Sequence, residues 1–290
     1  MRKLSVVFIV VAFVSVFCSC QKERFGEYRP DMKIVRVYDE SQGHYLREKW
    51  LWDDDQLSRI DFCKRNGDLD YSQKYLYDGR RLQRIETENL YSEFLYDGKN
   101  LTGIKTYSGD QLEETYAFTF KKNKLDHLSI SKNSKSTSGN TLLSYFVPGF
   151  DNPAAVGAPF SCSKGDDYNY TSAEVDFNWV DDDIRSVKMT ITYPEKVHKK
   201  VYNYIYDDGI NPKLNFFSML VDHQLINNIP ENLFCSRHNV KGMYVTDSEN
   251  GEDLGTQSLF YSYEYYNKLP TKMYYNRGYD SLLIVSYLYQ

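Results

Sequence analysis

The sequence predicts an all-β protein, a many-stranded antiparallel up-and-down meander of hairpins with one short helix near 213–227. Three observations carry this. One phrase of paired aromatic and paired aliphatic residues recurs along the chain, 27 tyrosines lift the aromatic share to 16%, and no helical apolar period appears before about residue 210. Aromatic side chains favour strands, where they pack across neighbours on a pleated surface.

The phrase places an aromatic at positions 0 and +2, a polar turn, and aliphatics at +7 and +10. Five copies are complete: Trp50, Trp52, Leu57, Ile60; Tyr75, Tyr77, Leu82, Ile85; Phe94, Tyr96, Leu101, Ile104; Phe118, Phe120, Leu125, Leu128; and Phe177, Trp179, Ile184, Val187. Two are degenerate: Tyr204 and Tyr206 with Leu214, and Tyr263 and Tyr265 with Leu269 and Met273. Internal periodicity of this kind outranks single-residue motifs.

Each copy reads as a β-hairpin. The aromatics at 0 and +2 share one face of a strand, and Asp78-Gly79 and Asp97-Gly98 supply the positive φ of a tight turn. With Asp-Gly as the central pair, Leu82 lies across from Tyr75 and Leu101 across from Phe94. The aliphatic at +10 then falls on the opposite face, so either the sheet is apolar on both faces or each return strand carries a bulge.

Copies start 25, 19, 24, 59, 27 and 59 residues apart, which fits a meander with two long insertions, at 131–172 and 211–258. The first is rich in Gly, Pro and polar residues and reads as a loop. In the second, Phe217, Leu220, Val221 and Leu225 have helical spacing after Asn211-Pro212 and before Pro230, which defines the expected helix.

Ahead of the repeat, Met1, Arg2 and Lys3 precede the uncharged run "LSVVFIVVAFVSVF" and then "CSC". A basic start, an apolar run and small residues make a secretion signal over 1–19. The run is short for a spanning helix of about 20 residues, the alternative reading. Residues 20–33 are then a linker and 34–290 a single β domain. Removing 1–19 takes two basic residues and no acidic one, leaving 33 against 40 and a net charge of −7. That balance excludes a nucleic-acid partner, which needs a clustered basic face. Three cysteines remain besides Cys20, namely Cys63, Cys162 and Cys235. They allow one disulfide and a free thiol, or three small buried residues.

"FCSC" resembles a bacterial lipobox, with Phe17 where Leu is usual. The resemblance implies that Cys20 becomes the first residue and carries acyl chains, making the membrane a partner through that lipid. The "Y-x-Y-D-G-x-x-L-x-x-I" hairpins, "SRHN" at 236–239 and the closing "YEYYNKLPTKMYY" resemble a Bacteroidetes lipoprotein family of unknown function with a porin-like β-sheet fold. The hairpins are also similar to the YD repeats of Rhs-type proteins. The resemblance implies a sheet that is curled or barrel-like, an outer-membrane location and no established activity. The acidic stretch "QKERFGE", with Arg24 in it, favours the cell surface over the periplasmic face. A membrane-embedded porin is not expected, because Glu93, Glu113, Glu114 and Glu264 stand where lipid would lie.

No enzyme and no cofactor are expected. His44, His127, His198, His223 and His238 lack metal-ligand spacing, and neither a nucleophile elbow nor a phosphate loop occurs. The acidic turns 53–55, 181–183 and 207–208 read as turn chemistry rather than as calcium ligands. Trp50, Trp52 and Trp179 occupy repeat positions and read as packing rather than as sugar platforms. Tyr168, Tyr170 and Tyr244, outside the repeat, are the candidate ligand-binding residues. The expected role is a binding or adhesion module for glycan or protein, with a structural scaffold in an envelope complex as the alternative.

Overall fold

The computed structural model describes residues 27–133, 170–216 and 236–290, apart from 29, 31, 42 and 89. Cys20, Tyr168, Cys162 and Cys235 lie outside the described residues. Sixteen antiparallel strands close into one barrel in the order of the chain, with β1 (Ile34–Asp39) completing the ring against β16 (Asp280–Tyr289). Lys33 and Gln290 exchange backbone hydrogen bonds of 3.3 and 2.9 Å beside that seam.

The repeat hairpins are β2 (Tyr45–Asp53) with β3 (Gln56–Cys63), β4 (Leu69–Asp78) with β5 (Arg81–Glu86), and β6 (Leu90–Asp97) with β7 (Asn100–Ser108). They continue as β8 (Gln111–Lys121) with β9 (Lys124–Lys132) and β10 (Ser172–Val180) with β11 (Asp183–Thr192). β12 (Val197–Ile210) pairs with β13 (His238–Glu249) across a long connection, and β14 (Glu252–Tyr266) pairs with β15 (Leu269–Arg277). Every repeat turn points to one end of the barrel.

A register shift in each hairpin settles which face the aliphatics take. Between Leu76 and Tyr77 the pairing steps by one residue, so Tyr77 faces Leu82 and Tyr75 faces Ile85. Leu82 is therefore not across from Tyr75, nor Leu101 from Phe94, because Gly79 and Arg80, not Asp78 and Gly79, form the turn. Gly79 takes φ +58° there, a conformation that a Cβ resists. The bulge inserts one residue, Gln83, and returns both Leu82 and Ile85 to the interior. Both are at most 5% exposed, and burying each contributes about 2 kcal/mol.

The same shift occurs in all eight strand pairs at this end. Two of these pairs show the phrase where the sequence hides it. Val240 and Met243 stand across from Tyr206 and Tyr204, so Leu214 is not the +10 partner. Ile34 and Val37 stand across from Tyr289 and Tyr287, so the two ends of the barrel domain assemble an eighth copy.

The second aromatic of the phrase has its own task. Ladders between neighbouring hairpins stop short of the turns, leaving carbonyls without a strand partner. Side chains fill them: Trp52 Nε1 donates to the Ile34 carbonyl at 2.8 Å, Tyr96 Oη to Leu82 at 2.9 Å, and Trp179 Nε1 to Leu125 at 2.6 Å. Tyr206 Oη donates to Ile184 and Tyr289 Oη to Pro270, each at 2.7 Å. Tyr263 does the same for Val240 from the first position of its copy. A half-buried position that must fill space and donate a proton selects Tyr or Trp.

The expected helix does not begin where the spacing placed it. Residues 212–215 form turns, Asn211 Oδ1 accepts the Lys213 amide at 2.9 Å, and Asn215 adopts φ +61°, which a right-handed helix cannot include. Residues 217–227 lie outside the described residues. The turn instead drives Phe216 into the barrel against Trp50, with ring centroids 4.6 Å apart, and against Tyr28 at 5.1 Å. The supposed insertion at 211–258 is also corrected, since 238–249 and 252–258 are strand.

Two outcomes are expected. Tyr96→Phe and Tyr206→Phe each lower stability by about 1 kcal/mol in urea unfolding, because the carbonyl left behind loses its donor. Burial raises the hydroxyl pKa of Tyr204 and Tyr261 far above the ordinary tyrosine value. The neutral rings favour the fold fully below about pH 10, and that contribution is lost as pH rises through the folded-state pKa. Tyrosinate absorbance should therefore rise in two stages, the second coinciding with loss of near-UV circular dichroism. A single reversible step would refute this.

Candidate functional site, a polar ring inside the barrel

The interior has two levels. Near the repeat turns it is aromatic and aliphatic, and Ile104, Val187, Met243 and Val285 are all 0% exposed. Toward the other end buried polar side chains take over: Glu48, Gln73, Ser92, Thr106, Glu113, Glu114, His198 and Lys200. Burying such groups is costly unless each is hydrogen-bonded or paired.

Bulges place the consecutive charges. The register between β7 and β8 shifts so that Glu114 pairs with Thr106 and Leu112 with Tyr107, making Glu113 the extra residue. Both glutamates then turn inward, 3% and 1% exposed. Arg47 is the extra residue between β1 and β2, and Arg47 and Glu48 likewise share the interior.

Glu114 accepts hydrogen bonds from the hydroxyls of Tyr116 and Tyr170, the latter at 2.7 Å. Lys132 lies 5.5 Å from the Tyr170 ring centre. Burial pushes its ammonium pKa down while Glu114 and Glu113 pull it back up. Glu113 Oε2 is buried with no hydrogen-bond partner. Farther round, Arg47 Nε donates to Glu48 Oε1 and Trp50 Nε1 to Glu48 Oε2, both at 2.9 Å. His198 bonds Glu249, and Lys200 lies 3.6 Å from Asp247. The hydrogen bond from His198 holds the Glu249 carboxyl below its usual range. The ring thus sets cations beside carboxylates, an arrangement suited to gripping a polar group.

The sequence candidates separate. Tyr170 sits in this ring, 2% exposed, at the end from which the 131–172 connection leaves β9. Tyr244 is on the outer wall, edge-on to Phe260 with centroids 5.6 Å apart. Glu113 and Glu114, read as outward charges, are interior, whereas Glu93 and Glu264 are outside and paired with Arg84 and Lys272. The one available signal was the adjacency "EE", which breaks strand alternation. The tryptophans all belong to the core or pack against it, with both outer indoles donating to backbone. The acidic turns have local partners: Asp182 with Arg237, Asp183 with His238, and Asp207 with the Gly209 amide. Cys63 carries a free thiol.

No family model matches the sequence, and no curated protein matches it. Among solved structures the chain is similar to a porin-like protein from Bacteroides vulgatus, with a TM-score of 0.54 and 13% identity over 90% of this chain and 99% of that one. It is also similar to a porin-like protein from Bacteroides uniformis, with a TM-score of 0.48 and 9% identity over 92% of this chain and 100% of that one. The first likeness concerns the fold, a barrel of the same kind.

Glu114→Gln should destabilise the barrel by about 1–3 kcal/mol, since a carboxylate that accepts two tyrosine hydroxyls is replaced by a weaker acceptor. Glu113→Gln should be neutral or stabilising, because it removes a buried charge whose Oε2 lacks a partner. Equal destabilisation by the two variants in urea titration would contradict the assignment.

Proposed function

We propose that this protein is a non-catalytic, lipid-anchored envelope protein whose barrel stands in water at the outer membrane. On this reading it binds a glycan or protein at the cell surface. The observation that carries it is the polarity of the wall. Outward-facing strand residues include Lys49, Arg59, Lys74, Glu93, Asp126, Glu174, Asp176, Lys188, Lys199, Lys241 and Glu264, distributed around the barrel, while the inward faces near the repeat turns are apolar. A barrel embedded in lipid needs the reverse, an outward apolar band about 25 Å tall. Sixteen strands would leave an aqueous channel in a round porin, whereas here the level of the repeat is packed.

Binding is assigned to the polar end, where the buried Glu113 Oε2 lacks a hydrogen-bond partner and Lys132 lies over the Tyr170 ring. The alternative, a scaffold subunit, has to dock through side chains of the wall, because a closed barrel offers no strand edge to a partner.

Two measurements test the reading. Mass spectrometry of the protein from its native envelope should find Cys20 acylated at the new amino terminus, and Cys20→Ser should release it from the membrane fraction. A glycan array probed with the chain from residue 20 onward should give hits weakened by Glu113→Gln. Silence on the array together with recovery of one envelope partner by crosslinking would replace binding with the scaffold role.

A further inference from the structure

The position between the two aromatics of the phrase points outward and forms a row on one wall. Leu288, Leu51, Leu76 and Leu95 occupy it on β16, β2, β4 and β6, with Leu288, Leu76 and Leu95 exposed by 46%, 44% and 37%. Arginines alternate with them: Arg36 stands across from Leu288, Arg59 from Leu51 and Arg84 from Leu76. Lys49 and Lys74 follow across from Arg36 and Arg59. Five cations therefore meet three carboxylates in this band, Asp61 on Arg59, Glu93 on Arg84 and Glu86 across from Lys74. On the far side of the barrel the corresponding position holds Thr119, Asn178, Ile205 and Glu264, and β9 and β10 present Asp126, Glu174 and Asp176 next to Lys188 and Lys199 of β11 and β12.

We infer that this wall, from β16 through β6, lies flat on an anionic membrane surface. Leucines enter the interface between lipid headgroups, and the arginines and lysines reach lipid phosphates, each worth about 1 kcal/mol near a charged surface. The inference rests on the lipid-anchor reading, which sets the approach. Tyr28 is docked inside the repeat-turn end, its hydroxyl donating to the Pro212 carbonyl at 2.9 Å. Eight Cα-to-Cα steps separate it from Cys20, a reach of at most about 28 Å. The barrel is thus held close to the bilayer by this end. An end-on pose would present turns of mixed sign, with Asp54, Asp55, Asp78, Asp97 and Asp181 among Arg80, Lys99, Lys122 and Lys268. The side-on pose instead offers the band of leucines and cations beside the anchor.

The test uses the unlipidated chain from residue 20 onward, carrying Cys20→Ser, and its cosedimentation with phosphatidylcholine vesicles, with and without about 30 mol% phosphatidylglycerol. Binding is expected to the anionic vesicles only. It should fall at least about tenfold in the Leu76→Asn, Leu95→Asn, Leu288→Asn variant and in the Arg36→Gln, Lys49→Gln, Lys74→Gln variant. Val180→Asn and Leu254→Asn, exposed apolar positions elsewhere, should leave it unchanged. The second variant changes charge alone on exposed side chains, so it decides the matter if the leucine variant fails to fold. No binding by the parent chain, or equal binding by the charge variant, overturns the inference. Absence of lipid on Cys20 with vesicle binding intact would instead reject the anchor and leave the docking face.

Discussion

A strand alternates its side chains with a period of two, and this chain places its aliphatics three residues apart. One residue of bulge in each hairpin reconciles the two, and the barrel depends on it. Without that extra residue Ile60, Ile85, Ile104, Leu128 and Val187 would face water, and the interior near the turns would lose half of its aliphatic lining. Bulges also increase local twist, which helps a long meander curl until its first and last strands meet. The ends of the domain supply half a phrase each at the seam, so closure repeats the packing found in every other hairpin.

The bulge brings a second requirement. Between neighbouring hairpins the ladder gives out before the turns, and the freed carbonyls need donors in a level that is otherwise dry. Tyrosine and tryptophan at the second aromatic position satisfy them while filling space, which accounts for the aromatic composition. Among the complete copies Trp52, Tyr96 and Trp179 make this bond, whereas Phe120 has the shape without the donor. Aromatic residues at this position are thus explained by architecture, through filling space and, for Tyr and Trp, through a donor to a neighbour's backbone.

The resulting polarity differs between the wall and the two levels of the interior. The wall carries charges outward, and the interior changes character along its length, from rings and aliphatics near the repeat turns to paired charges at the other end. The polar level is built by bulges of a second set, at the opposite end, which turn Glu113 with Glu114 and Arg47 with Glu48 inward as adjacent residues. The same device thus makes a dry layer at one end and a charged one at the other.

The sequence by itself determined the hairpin unit, the strand class and, to within one residue, the turn positions, because turn chemistry and a repeated spacing are local properties. It left two faces open for the aliphatics, and only pairing in three dimensions chose between them. It could not show that Val240 and Met243, or Ile34 and Val37, belong to the same pattern, since their partners lie far away in the chain. Helical spacing at Phe217 and Leu220 was legible, yet at 213–216 tertiary packing of Phe216 against Trp50 and the left-handed Asn215 prevailed over that period. The polar ring was invisible for the same reason: its members come from many strands, and one-residue bulges, which strict alternation does not foresee, decided that Glu113 and Glu114 point inward.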